Sequence, residues 1–214
     1  MSGERANASE VPAWVVTFAD LMTLLFCFFV LLTTLATQPK NCLGLQHYLE
    51  QNSTTYRKYE LRSTKLECIL SLPSDYLFSS GQAIVQQRAL RELVPLFRKI
   101  RVLEEHKEDL MIVEGHTDNV PIRTAEFSNN WELSSSRATN LATFLVKKMK
   151  YPGDKVSVRA FAENKPKTPY FDEYGDRLRG KALRRARTEN RRVELILVEA
   201  PETLEASRVI FRVQ

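Results

Sequence analysis

The stretch from Trp14 to Ala36, WVVTFADLMTLLFCFFVLLTTLA, decides how the chain is organised, because it is apolar throughout except for one carboxylate, Asp20. An apolar run of about 20 residues is enough to cross the hydrocarbon core of a bilayer. A signal peptide would have a basic leader and a shorter apolar core, whereas the leader MSGERANASE holds one arginine and two glutamates. A buried core helix would be shorter and carry a polar side. The pattern therefore predicts a transmembrane helix.

The residues on either side of this span leave its orientation open. Arg5 is the one basic residue before it, and the positive charges after it carry little weight when a large folded domain follows. The chain has 214 residues, of which 27% are charged, and a net charge of +5. Nearly all of the charge lies after Thr37. We therefore expect two differently solvated parts rather than one soluble domain.

Asp20 is unusual because a charged Asp near the centre of a membrane helix costs about 2.5–3.5 kcal/mol. One interpretation places it near enough to the interface to reach lipid headgroups, since it follows Trp14 closely. The other is an ion-carrying carboxylate. Helical spacing puts the following residues on its face: Val16, Thr17, Thr23, Leu24 and Cys27. Threonine hydroxyls can bind an ion, and because one helix cannot line a pathway, this interpretation requires a partner with further transmembrane helices.

The remainder of the chain is polar and patterned. Residues 38–65 predict a short linker with one helix. From Leu66 onward, strands are predicted in LECILSLPSDYLF, DLMIVEGHTD, KVSVRAFAE and RRVELILVEA. Helices are predicted in QAIVQQRALRELVPLFRKIRVLEEH, where Pro95 should kink or interrupt the helix, and in NWELSSSRATNLATFLVKKM. This alternation predicts an α+β or α/β domain of packed layers.

Two further features have two interpretations each. Cys42 and Cys68 either form a disulfide, closing a loop of roughly 25 residues, or are unrelated thiols, and the cysteine spacing does not match a zinc site. The basic segment RLRGKALRRARTENRR is either a solvated loop and helix start or a contact for an anionic polymer or lipid headgroups. It has no interleaved aromatic residues and no nucleic-acid motif, so we do not expect nucleic acid as a partner.

The block GHTDNVP, followed by NNWELSSSRA, holds the residues with the most chemistry. Asp118 at a strand end and Arg137 in the next helix can converge on a zwitterionic ligand, the carboxylate binding an ammonium group and the guanidinium binding a carboxylate. The alternative is a structural Asp–Arg bridge. A hydrolase built from His116, Asp118 and the serines at 134–136 is disfavoured because the chain has no G-x-S-x-G elbow. A single histidine does not indicate a metal site.

Two blocks resemble one protein family. TFADLMTLLFCFFVLL resembles the transmembrane signature of the MotB/PomB stator subunits. VEGHTDNVPI, with NWELSSSRA and NRRVEL, resembles the OmpA-like peptidoglycan-binding domain that those subunits carry. The resemblance implies a single N-terminal transmembrane helix followed by a two-layer α+β (βαβαβ) domain. It also implies a bacterial inner-membrane protein whose C-terminal domain lies in the periplasm, which fixes the orientation.

The resemblance implies roles for individual residues and partners. Asp20 matches the ion-conducting carboxylate, with Thr17, Thr23 and Cys27 on its face. The residues that match the peptidoglycan-binding set, which holds the diaminopimelate of the peptide stem, are Asp118, Arg137, Thr117, Asn130, Leu133 and Arg191. Two copies of the subunit would stand inside a ring of five polytopic MotA-, PomA- or ZorA-like subunits. A proton or a sodium ion would be transported, and no cofactor is implied.

One departure from the flagellar members concerns the linker. Those members usually carry a plug helix and a long linker, whereas only about 30 residues separate Ala36 from Leu66, spanning at most about 100 Å when extended. The MotB-like subunit of Zorya anti-phage systems, ZorB, has a similarly compact arrangement. The motor could therefore serve flagellar motility or phage defence, and the short linker favours phage defence.

The predicted organisation is a cytoplasmic N-terminus at 1–12, a transmembrane helix at 13–37, a periplasmic linker at 38–65 and a peptidoglycan-binding domain at 66–214. The predicted function is that of the B subunit of an ion-driven stator, not an enzyme. The rival interpretation is a passive peptidoglycan anchor of the OmpA or Pal kind, in which Asp20 has no role. The residues do not decide between a proton and a sodium ion.

Overall fold

The computed structural model describes residues 12–35 and 41–200, which belong to two compact units, 1–39 and 40–214. The described part of the first unit is one helix, α1 (Ala13–Leu35). Within it, Ala13–Thr33 is long and apolar enough to cross a membrane, and no residue of that segment is buried inside the protein. Large apolar side chains such as Phe26 are exposed, as expected of a helix whose surroundings are lipid or other membrane helices.

The second unit is built on a five-stranded sheet. Its strands are β1 (Glu60–Ser63), β2 (Glu67–Pro73), β3 (Leu110–His116), β4 (Val156–Ala162) and β5 (Arg192–Val198). They lie in the order β1-β2-β5-β3-β4. The β3–β4 pair is parallel and the other pairs are antiparallel. The parallel pair needs a crossover, and the chain between β3 and β4 supplies it as a helix.

The described part of the domain also holds six α-helices, the first five of which contribute buried residues to a core on one face of this sheet. They are α2 (Leu43–Gln51), α3 (Ser53–Tyr56), α4 (Ser74–Leu77), α5 (Gln87–Val102), α6 (Asn130–Lys147) and α7 (Gly180–Asn190). Alternate strand residues pack with the apolar sides of α5 and α6 into one core, whose members include Leu70, Leu72, Leu93, Phe97, Val113, Leu141, Leu145 and Leu195. The predicted fold class, one apolar N-terminal helix plus a two-layer α+β domain, is confirmed.

The predicted linker at 38–65 is corrected by the structure for the part that is described. Residues 43–63 form α2, α3 and the edge strand β1, and Leu45 and Tyr56 are buried in the core. Cys42 and Cys68 are joined by a disulfide. The folded domain therefore begins near residue 41, and its N-terminal elements were hard to identify because most of their residues are polar and exposed.

The structure also shows how Pro95 and the basic segment are folded. Pro95 lies inside α5, which continues past it to Val102, so the predicted interruption is not found. Proline has no backbone N–H, so the carbonyl of Arg91, four residues earlier, has no helical hydrogen bond from it. Both residues are exposed, so solvent can donate to that carbonyl instead. The basic segment forms α7, on which Lys181, Arg184 and Arg185 are exposed.

The close approach of β3 to α6 depends on a glycine. A Cβ atom at Gly115 would collide with the backbone carbonyl of Ser134. Only glycine allows the strand to pass so near to the helix. This contact brings the end of β3 and the first turns of α6 together, which is where the candidate site lies.

Candidate ligand-binding cavity

A cavity of about 670 Å³ lies beside the end of β3, the start of α6 and the end of α7. The residues that line it are Asp75, Phe78, Ser79, Ser80, Gly81, Thr117, Asp118, Val120, Pro121, Ile122, Thr124, Asn130, Leu133, Arg137 and Arg191. The six side chains that the sequence assigns to peptidoglycan binding are all among them. Residues more than 70 positions apart in the chain therefore meet at one opening.

Asp118 is held in place from several sides. Its Oδ1 accepts a hydrogen bond from the backbone N–H of Val120 at 3.0 Å, and its Oδ2 accepts one from Nη1 of Arg191 at 2.6 Å. Its backbone carbonyl accepts bonds from Thr117 Oγ1 at 3.1 Å and Asn130 Nδ2 at 3.3 Å. The carboxylate is thus oriented before any ligand arrives, and only 10% of its side chain is exposed.

Arg191 is shared between two carboxylates. Besides its bond to Asp118, its Nε and Nη2 donate to the two oxygens of Asp75 at 2.8 and 2.7 Å. The hydrogen bond with Asp75, and after it the one with Asp118, raise the pKa of Arg191 despite its partial burial. Asp75 was not predicted as a site residue, because a single Asp at the start of a short helix gives no signal in the sequence.

Arg137 is buried and bonded mainly to the backbone. It is 5% exposed, its Nε donates to the carbonyl of Gln82 at 2.9 Å, and its Nη2 lies 3.5 Å from the carbonyl of Ser79. Its guanidinium also lies over the ring of Phe78, at 5.0 Å. Burial, with a contribution from Arg191, lowers the pKa of Arg137 to about 10, so it stays charged at neutral pH.

The structural Asp118–Arg137 bridge considered above is not formed within the described residues. Asp118 pairs with Arg191, and the hydrogen bonds of Arg137 go to neutral carbonyls. The charge of Arg137 is therefore not matched by a carboxylate in direct contact. The cavity has an acidic half, made of Asp75, Asp118 and Arg191, and a cationic half, made of Arg137.

The remaining predicted residues shape the cavity. Asn130, the first residue of α6, donates from Nδ2 to the carbonyls of Asp118 and Val120 and so fixes the loop after β3. The preceding Asn129 caps the helix by accepting from the N–H of Glu132. Leu133 packs in a small apolar cluster with Ala83 and Phe127. Thr117 donates its N–H to the carbonyl of Ala162, which ties the loop to β4.

A second polar cluster lies on the other face of the sheet. His116 is buried against the ring of Phe161, and its Nε2 lies 3.5 Å from Glu114 and 3.7 Å from Glu194. This histidine is thus not alone, and the three side chains could act as metal donors. However, the carboxylates already pair with four basic side chains, those of Arg62, Arg159, Lys165 and Arg192. A divalent cation would have to compete with those charges.

The position of His116 in this cluster also argues against the hydrolase site considered above, because the histidine is not paired with a serine. His116 turns toward Glu114 and Glu194 rather than toward a serine. Ser134 donates its hydroxyl to the carbonyl of Trp131 at 3.1 Å and accepts from the N–H of Ala162 at 3.3 Å. Its hydroxyl therefore stabilises the junction of α6 and β4, and no Ser–His pair forms in the described part of the chain.

The predicted ion-conducting residues lie on α1. Thr17 donates its hydroxyl to the carbonyl of Trp14 at 2.9 Å, and Thr23 donates to that of Ala19 at 2.7 Å. Cys27 is a free, exposed thiol, and Asp20 is exposed. Each threonine oxygen keeps its acceptor lone pairs, so both can still face an ion. One helix places these groups on a common side but does not enclose them.

Comparison with known families gives one match in the N-terminal part of the chain and one in the folded domain. Residues 2–51 match the family described as "Membrane MotB of proton-channel complex MotA/MotB", and residues 77–176 match the OmpA family. The chain is thus similar to MotB-type proteins in its N-terminal part and to OmpA-family domains in its C-terminal part. It is 30% identical over 140 residues to Motility protein B of Bacillus subtilis, covering 65% of this chain and 48% of that protein. It is also 25% identical over 244 residues to the uncharacterized protein YtxE of the same species, covering 94% and 95% of the two chains.

Solved structures share the fold of the second unit. The cell wall anchor of the T6SS from Pseudomonas aeruginosa has a TM-score of 0.60 and 21% identity, covering 76% of this chain and all of that one. The periplasmic domain of Helicobacter pylori MotB (residues 78–256) has a TM-score of 0.56 and 21% identity, covering 72% and 89%. These likenesses place the second unit in the OmpA-like fold.

Proposed function

We propose that this chain is a MotB-type protein, the B subunit of an ion-driven stator, and that its cavity anchors the complex to peptidoglycan. The observation that carries the proposal is that all six predicted wall-binding residues line one cavity in a chain that also has a membrane helix with an acid. The span would lie in the bacterial inner membrane, with the C-terminal domain in the periplasm. The chain would work by binding and ion transport, without catalysing a reaction.

The chemistry of the cavity suits the side chain of diaminopimelate, which ends in an ammonium and a carboxylate. The carboxylate of such a ligand would bind the guanidinium of Arg137, which contacts no carboxylate in residues 12–35 and 41–200. The ammonium would bind Asp118, which is already oriented by Val120 and Arg191. Apolar lining at Phe78, Ile122 and Leu133 would contact the methylene chain.

A pull-down on purified cell-wall sacculi tests this anchoring. We expect the detergent-solubilised full chain to co-sediment with sacculi, and Arg137→Ala to weaken binding about 10- to 100-fold, because a charge-assisted hydrogen bond is lost. Arg98→Ala, at an exposed position of α5, is the matched control and should bind normally. Arg137→Lys keeps the charge and should retain part of the binding. Unchanged binding by a folded Arg137→Ala variant would reduce Arg137 to a structural role.

The ion-carrying role of Asp20 is the second part of the proposal. One charge that crosses 100 mV releases about 2.3 kcal/mol, and binding and release at Asp20 would couple that energy to rotation of a MotA-, PomA- or ZorA-like ring. Two copies of this chain inside five copies of the partner would supply the enclosure that a single α1 lacks. Either a proton or a sodium ion suits a carboxylate flanked by hydroxyls at Thr17 and Thr23. A passive anchor would tolerate Asp20→Leu without consequence.

The length of the connection bears on what the motor drives. Only residues 36–40 separate α1 from the first described residue of the folded domain, Asn41. This is shorter than the 30-residue linker that the sequence suggested, because residues 43–63 are folded. The short connection favours a ZorB-type defence subunit over a flagellar one. Deleting the gene and scoring both swimming and phage plaque formation distinguishes the two uses.

A further inference from the structure

We infer that Asp75 determines ligand specificity by keeping the acidic half of the cavity negatively charged. Neither the sequence pattern nor the similarity to relatives assigns it a role. The inference rests on the proposed function, since it concerns how the same cavity would select a zwitterionic group. It follows from how the hydrogen bonds of one arginine are divided between two carboxylates.

Arg191 gives two of its four side-chain hydrogen bonds to Asp75. Two of its nitrogens bind the two Asp75 oxygens at 2.8 and 2.7 Å, in the forked geometry that suits guanidinium and carboxylate, and one binds Asp118 at 2.6 Å. A fourth contact, from Nη2 to Thr188 Oγ1 at 3.2 Å, holds the guanidinium against the end of α7. Arg191 is therefore fixed between the carboxylates and does not belong to Asp118 alone.

These contacts give the two halves of the cavity opposite net charges. Asp75, Asp118 and Arg191 together carry one net negative charge, and Arg137 carries one positive charge against neutral carbonyl partners. Without Asp75, Arg191 and Asp118 would form a closed neutral pair. The cavity would then keep its affinity for a carboxylate at Arg137 but lose the attraction for an ammonium group at Asp118.

The exposure of the two acids gives them different tasks. The side chain of Asp75 is 51% exposed and that of Asp118 is 10% exposed. Both acids line the cavity. Asp118 is positioned to touch a ligand in its buried part, whereas Asp75 is half exposed and acts through Arg191 and through its charge. Asp75 is a positioning and specificity residue, and its effect should depend on whether the ligand carries an ammonium group.

Calorimetric titration of the detergent-solubilised full chain with two peptides tests this inference. The first is a stem peptide with a free diaminopimelate amine, and the second is the same peptide with that amine acetylated. We expect the wild type to prefer the free amine roughly tenfold or more. Asp75→Asn, which keeps the shape and removes the charge, should weaken binding of the free-amine peptide roughly tenfold and leave the acetylated peptide unchanged. Asp75→Glu should restore part of the preference.

The controls separate the possible failures. Glu104→Gln, at a largely exposed acid that does not line the cavity, should leave both affinities unchanged, and thermal unfolding should show that each variant is folded. If the wild type binds neither peptide, the proposed function fails and this inference fails with it. If the wild type discriminates and folded Asp75→Asn discriminates equally well, this inference alone is overturned. An equal loss for both peptides would also overturn it, because Asp75 would then be only a structural support.

Discussion

The membrane helix and the cavity differ in whether a single chain supplies all the residues that the proposed function needs. In the cavity, Asp118 and Arg191 are oriented by other residues of the same domain. On α1, Asp20 is exposed, and the hydroxyls of Thr17 and Thr23 donate to the backbone of their own helix. The proposed wall-binding site is thus formed by one chain, whereas an ion site at Asp20 requires other subunits. Changes in the two regions should therefore affect different measurements.

The largest expected effect is that of Asp20→Asn on ion-driven output. The amide is nearly the same size but cannot exchange a proton or neutralise a sodium ion, so motor output should fall to background. Assembly with the co-expressed MotA-type partner and binding to sacculi should stay at wild-type levels, because the cavity belongs to a separate unit. Output is scored as rotation or as ion flux into vesicles, and Asp20→Glu is the matched control that keeps the carboxylate. Full output from Asp20→Asn would leave only the passive anchor.

A smaller effect, confined to the folded domain, should appear in acid. Burial opposes ionisation of Glu114, but His116 and Lys165 outweigh it and lower the pKa of Glu114 to about 2 from 4.5. Because the folded-state pKa is depressed, this stabilisation is complete above pH 4.5 and is lost as the pH falls toward 2. Burial, with Arg192, also lowers the pKa of His116, whose protonation adds to the loss below pH 6.5.

The free energy of unfolding of the domain should therefore decrease by on the order of 2–3 kcal/mol through this range. Thermal unfolding of the full chain between pH 7 and pH 3 measures the decrease. Glu114→Gln should lower stability at pH 7 and flatten the acid dependence, while Glu104→Gln, at a largely exposed acid, should change neither. If the stability of Glu114→Gln depends on pH as that of the wild type does, groups other than Glu114 cause the decrease in acid.

Much of the fold could be predicted from periodicity. The buried strands β3 and β5 and the helix α6 have apolar patterns that the structure follows closely. The region at 43–63 was misread because its few buried residues, such as Leu45 and Tyr56, are spaced among polar ones. They are buried through contacts with distant parts of the chain and through the Cys42–Cys68 disulfide, neither of which a local pattern encodes.

The site was predictable only in part for the same reason. Asp118 and Arg137 stand in motifs that can be recognised in the sequence, but their partners are set by the tertiary fold. Arg191 lies 73 residues after Asp118, and Asp75 lies 116 residues before Arg191. The sequence placed Asp118 and Arg137 at one ligand site and left a direct bridge between them as the alternative. In the structure both line one cavity, but Asp118 pairs with Arg191, and Arg137 bonds to the carbonyls of Gln82 and Ser79.

Displacement of the full chain from sacculi by a soluble stem peptide tests the central claim most directly. The chain is first bound to sacculi, and a peptide with a free diaminopimelate side chain is then added in increasing amounts. The account predicts saturable release, with much weaker release by the same peptide after its amine is acetylated or its side-chain carboxylate is amidated. A chain that stays on the wall at every peptide concentration, or is released equally by all three peptides, would contradict it.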